Sequence, residues 1–162
     1  MNAKALFLDL DGTLIDPSWR YRILWSHNLM YPGVKELLDA AVLVGYNPIV
    51  VTNQPDIARG VVTWTAMRLL VDQLKWTLPI LDVLVCGHDN ADNCTCRKPK
   101  PGLLRTAASI WELDLSQSLM IGNEERDMKA AQAAGCKGWR LVDPTSDDPA
   151  LSLAAAREWL TT

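Results

Sequence analysis

The chain has 162 residues, 49% of them hydrophobic and 22% charged, which suits one globular domain and excludes a disordered or fibrous chain. Lys and Arg number 16 against 19 Asp and Glu, a net charge of −3 with no long basic run, which argues against general nucleic-acid binding. No apolar run approaches the ~20 residues of a membrane-spanning helix. Met1 to Lys4 lead straight into a strand-like run without a signal peptide's apolar core, so a cytoplasmic chain is expected.

In chain order, the first expected strand is 5–10. A helix face follows from Val34, Leu37, Leu38, Ala41 and Val42, spaced at i, i+3, i+4, i+7 and i+8. Next come a strand over 48–52, a second helix face from Met67, Leu70, Val71, Leu74 and Leu78, and a strand over 81–86. Pro101 is expected to open a third helix that ends near Leu113. A strand over 118–121 precedes a helix from about Glu125 to Ala134, stopped by Gly135. A last strand spans 138–142, and a last helix takes Asp148 as N-cap with Pro149 in its first turn. Strands alternating with helices, with no linker or repeat, predict a single doubly wound α/β domain with a parallel sheet covered on both faces.

Ligands bind such sheets beyond the carboxyl ends of the strands, and four polar clusters fall there. In Asp9-Leu10-Asp11-Gly12-Thr13, two carboxylates two residues apart share one face of an extended chain. They suit a hard cation such as Mg²⁺ together with a phosphate, or a nucleophile that forms an aspartyl-phosphate. A plain turn at the strand end is the competing reading of that cluster alone. Thr52-Asn53-Gln54 closes the second strand, and Gly122-Asn123-Glu124-Glu125-Arg126-Asp127 closes the fourth.

After the third strand, Cys86, His88, Cys94 and Cys96 crowd into one short loop. Three thiolates and an imidazole make a full tetrahedral set for structural Zn²⁺, and a reduced compartment fits them better than disulfides. Cys136 stands apart and reads as a small buried hydrophobe. Arg97-Lys98-Pro99-Lys100-Pro101-Gly102 follows the cysteines and feeds a helix N-terminus, a place that favours phosphate.

Taken together, FLDLDGT, VVTNQ with IARG, the Cys-x-His…Cys-x-Cys loop, RKPKPG, and MIGNEERD with AAQAAG resemble the haloacid-dehalogenase-like phosphatase superfamily. The likeness is to its small zinc-containing branch, whose members act on heptose bisphosphate and histidinol phosphate. The resemblance implies the Rossmann-like fold of that superfamily and a Mg²⁺-dependent phosphomonoesterase. Asp9 would be the nucleophile and Asp11 the general acid/base. Thr52, Asn53 and Lys98 would bind the phosphoryl group, with Arg59 and Arg97 as substrate contacts. Asp9, the carbonyl of Asp11 and Asn123 would hold Mg²⁺.

The chain departs from the family pattern at Asn123, where relatives carry Asp, at Glu124, where several are basic, and at Pro55-Asp56, where a Ser-Gly pair is usual. An amide oxygen still coordinates Mg²⁺ but brings no charge. The connections from Asp11 to Thr52 and from Thr52 to Lys98 are too short for a separate cap domain. Selection of a small phosphorylated metabolite, with a phosphosugar such as heptose bisphosphate foremost, would fall to the zinc loop, the IARG loop and segment 16–31. That segment holds Trp19, Tyr21, Trp25, His27 and Tyr31, which are read as pinning a loop to the core, with no catalytic role for His27. Histidinol phosphate is the alternative substrate, and a polynucleotide 3′-phosphatase is disfavoured by the acidic balance and the zinc loop. A non-catalytic phosphate- or partner-binding relative is the reading from another class, motivated by Asn123 and opposed by intact Asp9, Asp11, Thr52 and Lys98. No motif speaks to oligomeric state.

Overall fold

The computed structural model describes residues 3–19, 30–145 and 152–161. Five parallel strands form one sheet in the order β3-β2-β1-β4-β5, from β1 (Lys4–Leu8), β2 (Tyr46–Asn53), β3 (Asp82–Cys86), β4 (Leu119–Gly122) and β5 (Lys137–Arg140). The helices are α1 (Val34–Leu43), α2 (Trp64–Thr77), α3 (Gly102–Trp111), α4 (Glu125–Ala134) and α5 (Leu153–Thr161).

Because side chains alternate across a strand, β1 supplies both cores. Leu6 and Leu8 pack with α1, α5 and Leu74 of α2 on one face, while Ala5 and Phe7 pack with α3 and α4 on the other. Register preserves this sorting across the sheet: Phe7 lies beside Ile49 and Met120, all on the α3/α4 face. The chain steps outward from β1 to β3 on one side and then jumps to β4 on the other. That reversal opens a crevice at the carboxyl ends of β1 and β4, the switch point where ligands bind in such folds.

Several boundaries differ from expectation, each for a local reason. β1 stops at Leu8, not Leu10, because the Leu10 carbonyl accepts the N–H groups of Leu14 and Ile15 and turns the chain. Val42, in the last turn of α1, is 48% exposed, so the buried stripe ends at Ala41. Pro101 is the N-cap of α3 rather than its first residue. α4 ends at Ala134 as expected, with Gly135 at φ +88° in the left-handed conformation of a helix stop. Tyr21, Trp25, His27, Asp148 and Pro149 lie outside the described residues. No helix among those described is long and apolar enough to cross a membrane.

Candidate active site

Asp9 leaves β1 at the switch point, its backbone N–H still held by Ile121 O at 3.0 Å. Its carboxylate is buried, and Oδ1 accepts from Lys98 Nζ at 2.6 Å. Lys98 is 2% exposed, and its ammonium also lies 2.7 Å from Oδ1 of the fully buried Asp127. One cation thus sits between two carboxylates away from water. Such a charge survives burial only when paired, and removing one member strands the others. Burial dominates at Asp9 and raises its carboxyl pKa to about 6, against the opposing pull of Lys98. At Lys98 burial opposes the charge, but Asp9 and Asp127 outweigh it and hold the ammonium pKa above its ordinary value.

Each partner is locked from behind. Asn53, at the end of β2, donates through Nδ2 to Lys98 O and accepts at Oδ1 from Lys98 N, both at 3.0 Å, so its amide grips the lysine backbone like a neighbouring strand. Asp127 Oδ2 accepts the N–H of Glu124 at 3.0 Å, which ties it to the start of α4. Gly122 makes that possible, since a Cβ there would lie 2.4 Å from Asp127 Oδ2. Asp127 is the central residue that reading the sequence left without a role. Its position at the third residue of α4, four places after Asn123 in a helix that starts at Glu125, was the available signal.

Past Asp9 the chain turns at Gly12, φ +80°, where a Cβ would meet Asn123 Nδ2 at 2.3 Å. The bare glycine lets the Asn123 amide lie across the turn, with Oδ1 3.4 Å from Thr13 Oγ1. Asp11, half-buried, accepts from Gln54 Nε2 at 2.8 Å, and the same nitrogen donates to Oγ1 of buried Thr52 at 3.0 Å. Asp9, Asp11, Thr52, Lys98 and Asn123 therefore all stand on the carboxyl ends of β1, β2 and β4 or the segments beside them. Asp9, Asp11 and Asn123 between them can offer a carboxylate, a backbone carbonyl and an amide oxygen, hard donors of the kind a cation such as Mg²⁺ takes.

The cysteine loop hangs from β3. Sγ of Cys96 lies 3.2 Å from that of Cys86 and 3.5 Å from that of Cys94, while His88 Nδ1 is 3.6 Å from Cys86 and 3.3 Å from Cys96. Cys86 and Cys94 are 3.7 Å apart, and all four donor atoms lie within 4.8 Å of one another. These separations are too long for disulfides and close to the edges of a tetrahedron, ~3.8 Å between thiolates bound at ~2.3 Å. Cys136 is buried in the α3/α4 core instead, where desolvation pushes its thiol up to about 12.

The basic segment alternates in role. Lys98 points into the ion triad, while Lys100 Nζ donates to the carbonyls of Asn93 and Cys94 at 3.3 and 2.6 Å. Arg97 donates to Asn90 Oδ1 and His88 O, at 2.7 and 3.2 Å. Arg59 pairs with both Asp89 oxygens, at 2.6 and 3.1 Å, and with Asp56 at 3.3 Å. Both arginines are thus engaged with the cysteine loop. At the start of α3, Gly102 abuts the Thr95–Cys96 backbone, with Thr95 O 2.3 Å from where a Cβ would stand, so only a glycine fits there.

A doubly wound parallel sheet with an acidic, lysine-bridged centre at its switch point defines a Rossmann-like α/β protein with its ligand site at the carboxyl ends of β1 and β4. The model of the haloacid dehalogenase-like hydrolases matches residues 19–135, and the chain belongs to that family, as its motifs led one to expect. It is 37% identical over 145 residues to the D-glycero-beta-D-manno-heptose-1,7-bisphosphate 7-phosphatase of Helicobacter pylori, spanning 86% of this chain and 83% of that one. The enzyme of the same name from Escherichia coli K12 is 34% identical over 98% of this chain and 88% of its own. Among solved structures, the D,D-heptose 1,7-bisphosphate phosphatase of B. bronchiseptica, complexed with magnesium and phosphate, superimposes with a TM-score of 0.75. It shares the fold at 24% identity, with 98% of each chain covered.

Proposed function

We propose that this chain is a Mg²⁺-dependent phosphomonoesterase that works through an aspartyl-phosphate on Asp9 and hydrolyses a phosphosugar of the heptose 1,7-bisphosphate class. The observation that carries the mechanism is the buried Lys98 held between Asp9 and Asp127, a charge arrangement costly to build and suited to a phosphoryl group. The substrate class rests on the named relatives of similar length.

A carboxylate oxygen of Asp9 attacks phosphorus, and the bond to the leaving oxygen breaks with its electron pair on that oxygen. Asp11 gives the leaving oxygen a proton. Asp11 then takes a proton from water as the water oxygen attacks the phosphorus, and the Asp9–phosphorus bond breaks to free inorganic phosphate. Lys98 neutralises charge next to Asp9, and the Thr52 hydroxyl donates to a phosphoryl oxygen. Mg²⁺, held by Asp9, the Asp11 carbonyl and Asn123, would offset the phosphate charge when bound. Asn53 holds Lys98 in place through its backbone, while Arg97 within the cysteine loop and Arg59, which reaches it from the segment after β2, would contact the substrate. Cys86, His88, Cys94 and Cys96 would hold a structural Zn²⁺, four protein ligands making a closed site that does no chemistry.

The test is phosphate release from D-glycero-D-manno-heptose 1,7-bisphosphate with Mg²⁺, with histidinol phosphate and a 3′-phosphorylated oligonucleotide as comparison substrates. Preferred turnover of the bisphosphate is expected, and Asp9→Asn should lower it by ~10³-fold or more with the fold intact. Asp9→Asn retaining most of the activity would remove Asp9 from its role.

A further inference from the structure

Gln54 stands one residue beyond β2 and is 5% exposed. Its backbone N–H donates to Cys86 O at 2.8 Å and its carbonyl accepts from Ile57 N at 3.2 Å, so the residue is pinned between β3 and the following loop. Its side-chain Nε2 donates to Asp11 Oδ2 and to Thr52 Oγ1. A primary amide has two N–H donors, and both are committed here. As placed, the amide nitrogen faces Asp11 and Thr52 together, the only end of the side chain that can donate to both oxygens.

Two consequences follow for the reacting groups. A hydroxyl carries one proton, and Thr52 Oγ1 already accepts from Gln54, so Thr52 is left to donate its own O–H. A hydrogen bond into Oδ2 of Asp11 also fixes which way the carboxyl plane faces and restricts its rotation. Neither effect needs Gln54 to touch substrate.

We propose that Gln54 is a positioning residue for phosphoryl transfer, which polarises Thr52 as a donor toward the phosphoryl oxygens and orients Asp11 toward the leaving-group oxygen. This rests on the phosphomonoesterase reading above. In the step concerned, Asp9 forms its bond to phosphorus, the bond to the leaving oxygen breaks, and that oxygen takes its proton from Asp11. A sugar alkoxide needs that proton, whereas p-nitrophenolate departs without it. Misplacing Asp11 should therefore harm the sugar phosphate more than the aryl phosphate.

The experiment compares wild type, Gln54→Met and Gln54→Glu on heptose 1,7-bisphosphate and on p-nitrophenyl phosphate, with unfolding midpoints measured in parallel. Met keeps the side-chain length without an N–H, and Glu keeps the shape but sets a carboxyl against Asp11 in place of the two N–H donors. For both variants, kcat/KM on the sugar phosphate should fall ~10–100-fold, against less than ~5-fold on the aryl phosphate. The ratio kcat/KM reports the steps up to loss of the leaving oxygen and not the later attack of water that both substrates share. If Gln54→Met proves unstable, the comparison rests on Gln54→Glu. Equal losses of kcat/KM on the two substrates, or an unchanged kcat/KM on the sugar phosphate in an active enzyme, would overturn the role of Gln54. A wild type that turns over neither substrate would instead overturn the phosphomonoesterase reading, and this one with it.

Discussion

Lys98 is the residue on which the site's electrostatics turn. Its ammonium faces Asp9 and Asp127, and nothing apolar can replace it without stranding two buried carboxylates. Lys98→Met is expected to abolish turnover and to cost ~3–5 kcal/mol of stability at neutral pH, measured by denaturant unfolding. The pH dependence has a definite sign. Burial already raises the Asp9 pKa to about 6 from its usual 3.8 with Lys98 present, and loss of the cation raises it further. A carboxyl with a raised folded-state pKa costs stability above that pKa and returns it as pH falls toward the unfolded value. The gap between variant and wild type should therefore narrow between pH 7 and pH 4, and a constant gap would contradict the triad.

At the scale of elements, the cysteine loop behaves as a separate part fastened to the sheet. Cys86 ends β3, Gly102 starts α3, and the fifteen residues between them carry no other regular structure than one short helical turn. Lys100 on its carbonyls, Arg97 within it and Arg59 across to Asp89 hold it in shape, and these exposed pairs are individually weak. A bound metal ion would supply the larger share, since structural zinc contributes ~10–16 kcal/mol in small zinc-binding peptides. Purified protein should hold about one zinc per chain. Stripping it with a strong chelator, or Cys94→Ser, should expose 87–100 to limited proteolysis and weaken substrate binding while the sheet persists. Added Mg²⁺ alone should not reverse the effect of the chelator, and reversal by Mg²⁺ would contradict a structural role for zinc.

Over the whole molecule, stability follows burial rather than hydrophobicity. Phe7 is fully buried on the α3/α4 face of the central strand, whereas Trp76, on the outer side of α2, is 91% exposed. Phe7→Ala should cost ~3–5 kcal/mol through lost transfer energy and the cavity left behind. Trp76→Ala should change stability by less than ~0.5 kcal/mol. Denaturant unfolding of the pair checks both, and comparable losses would contradict the packing.

Much of this architecture was legible in the chain because it rests on local rules. Alternating apolar strands and amphipathic helices dictate a two-sided sheet, Gly135 dictates a helix stop, and the spacing of Cys86, His88, Cys94 and Cys96 dictates a common loop. The carboxylates, Thr52 and Lys98 were recognisable too, since each lies in a short motif at a strand end. What pairs with what was not legible, because it depends on contacts between residues far apart in sequence. Lys98 meets Asp9 across 89 positions, and Asn53 clamps Lys98 across 45. Arg59 turns to Asp89 across 30, and only the folded chain shows which partner it takes. Asp127 received no role because a carboxylate in the first turn of a helix reads as a favourable end charge. Its burial, and the lysine that makes that burial tolerable, exist only once strand order 3-2-1-4-5 brings β4 beside β1.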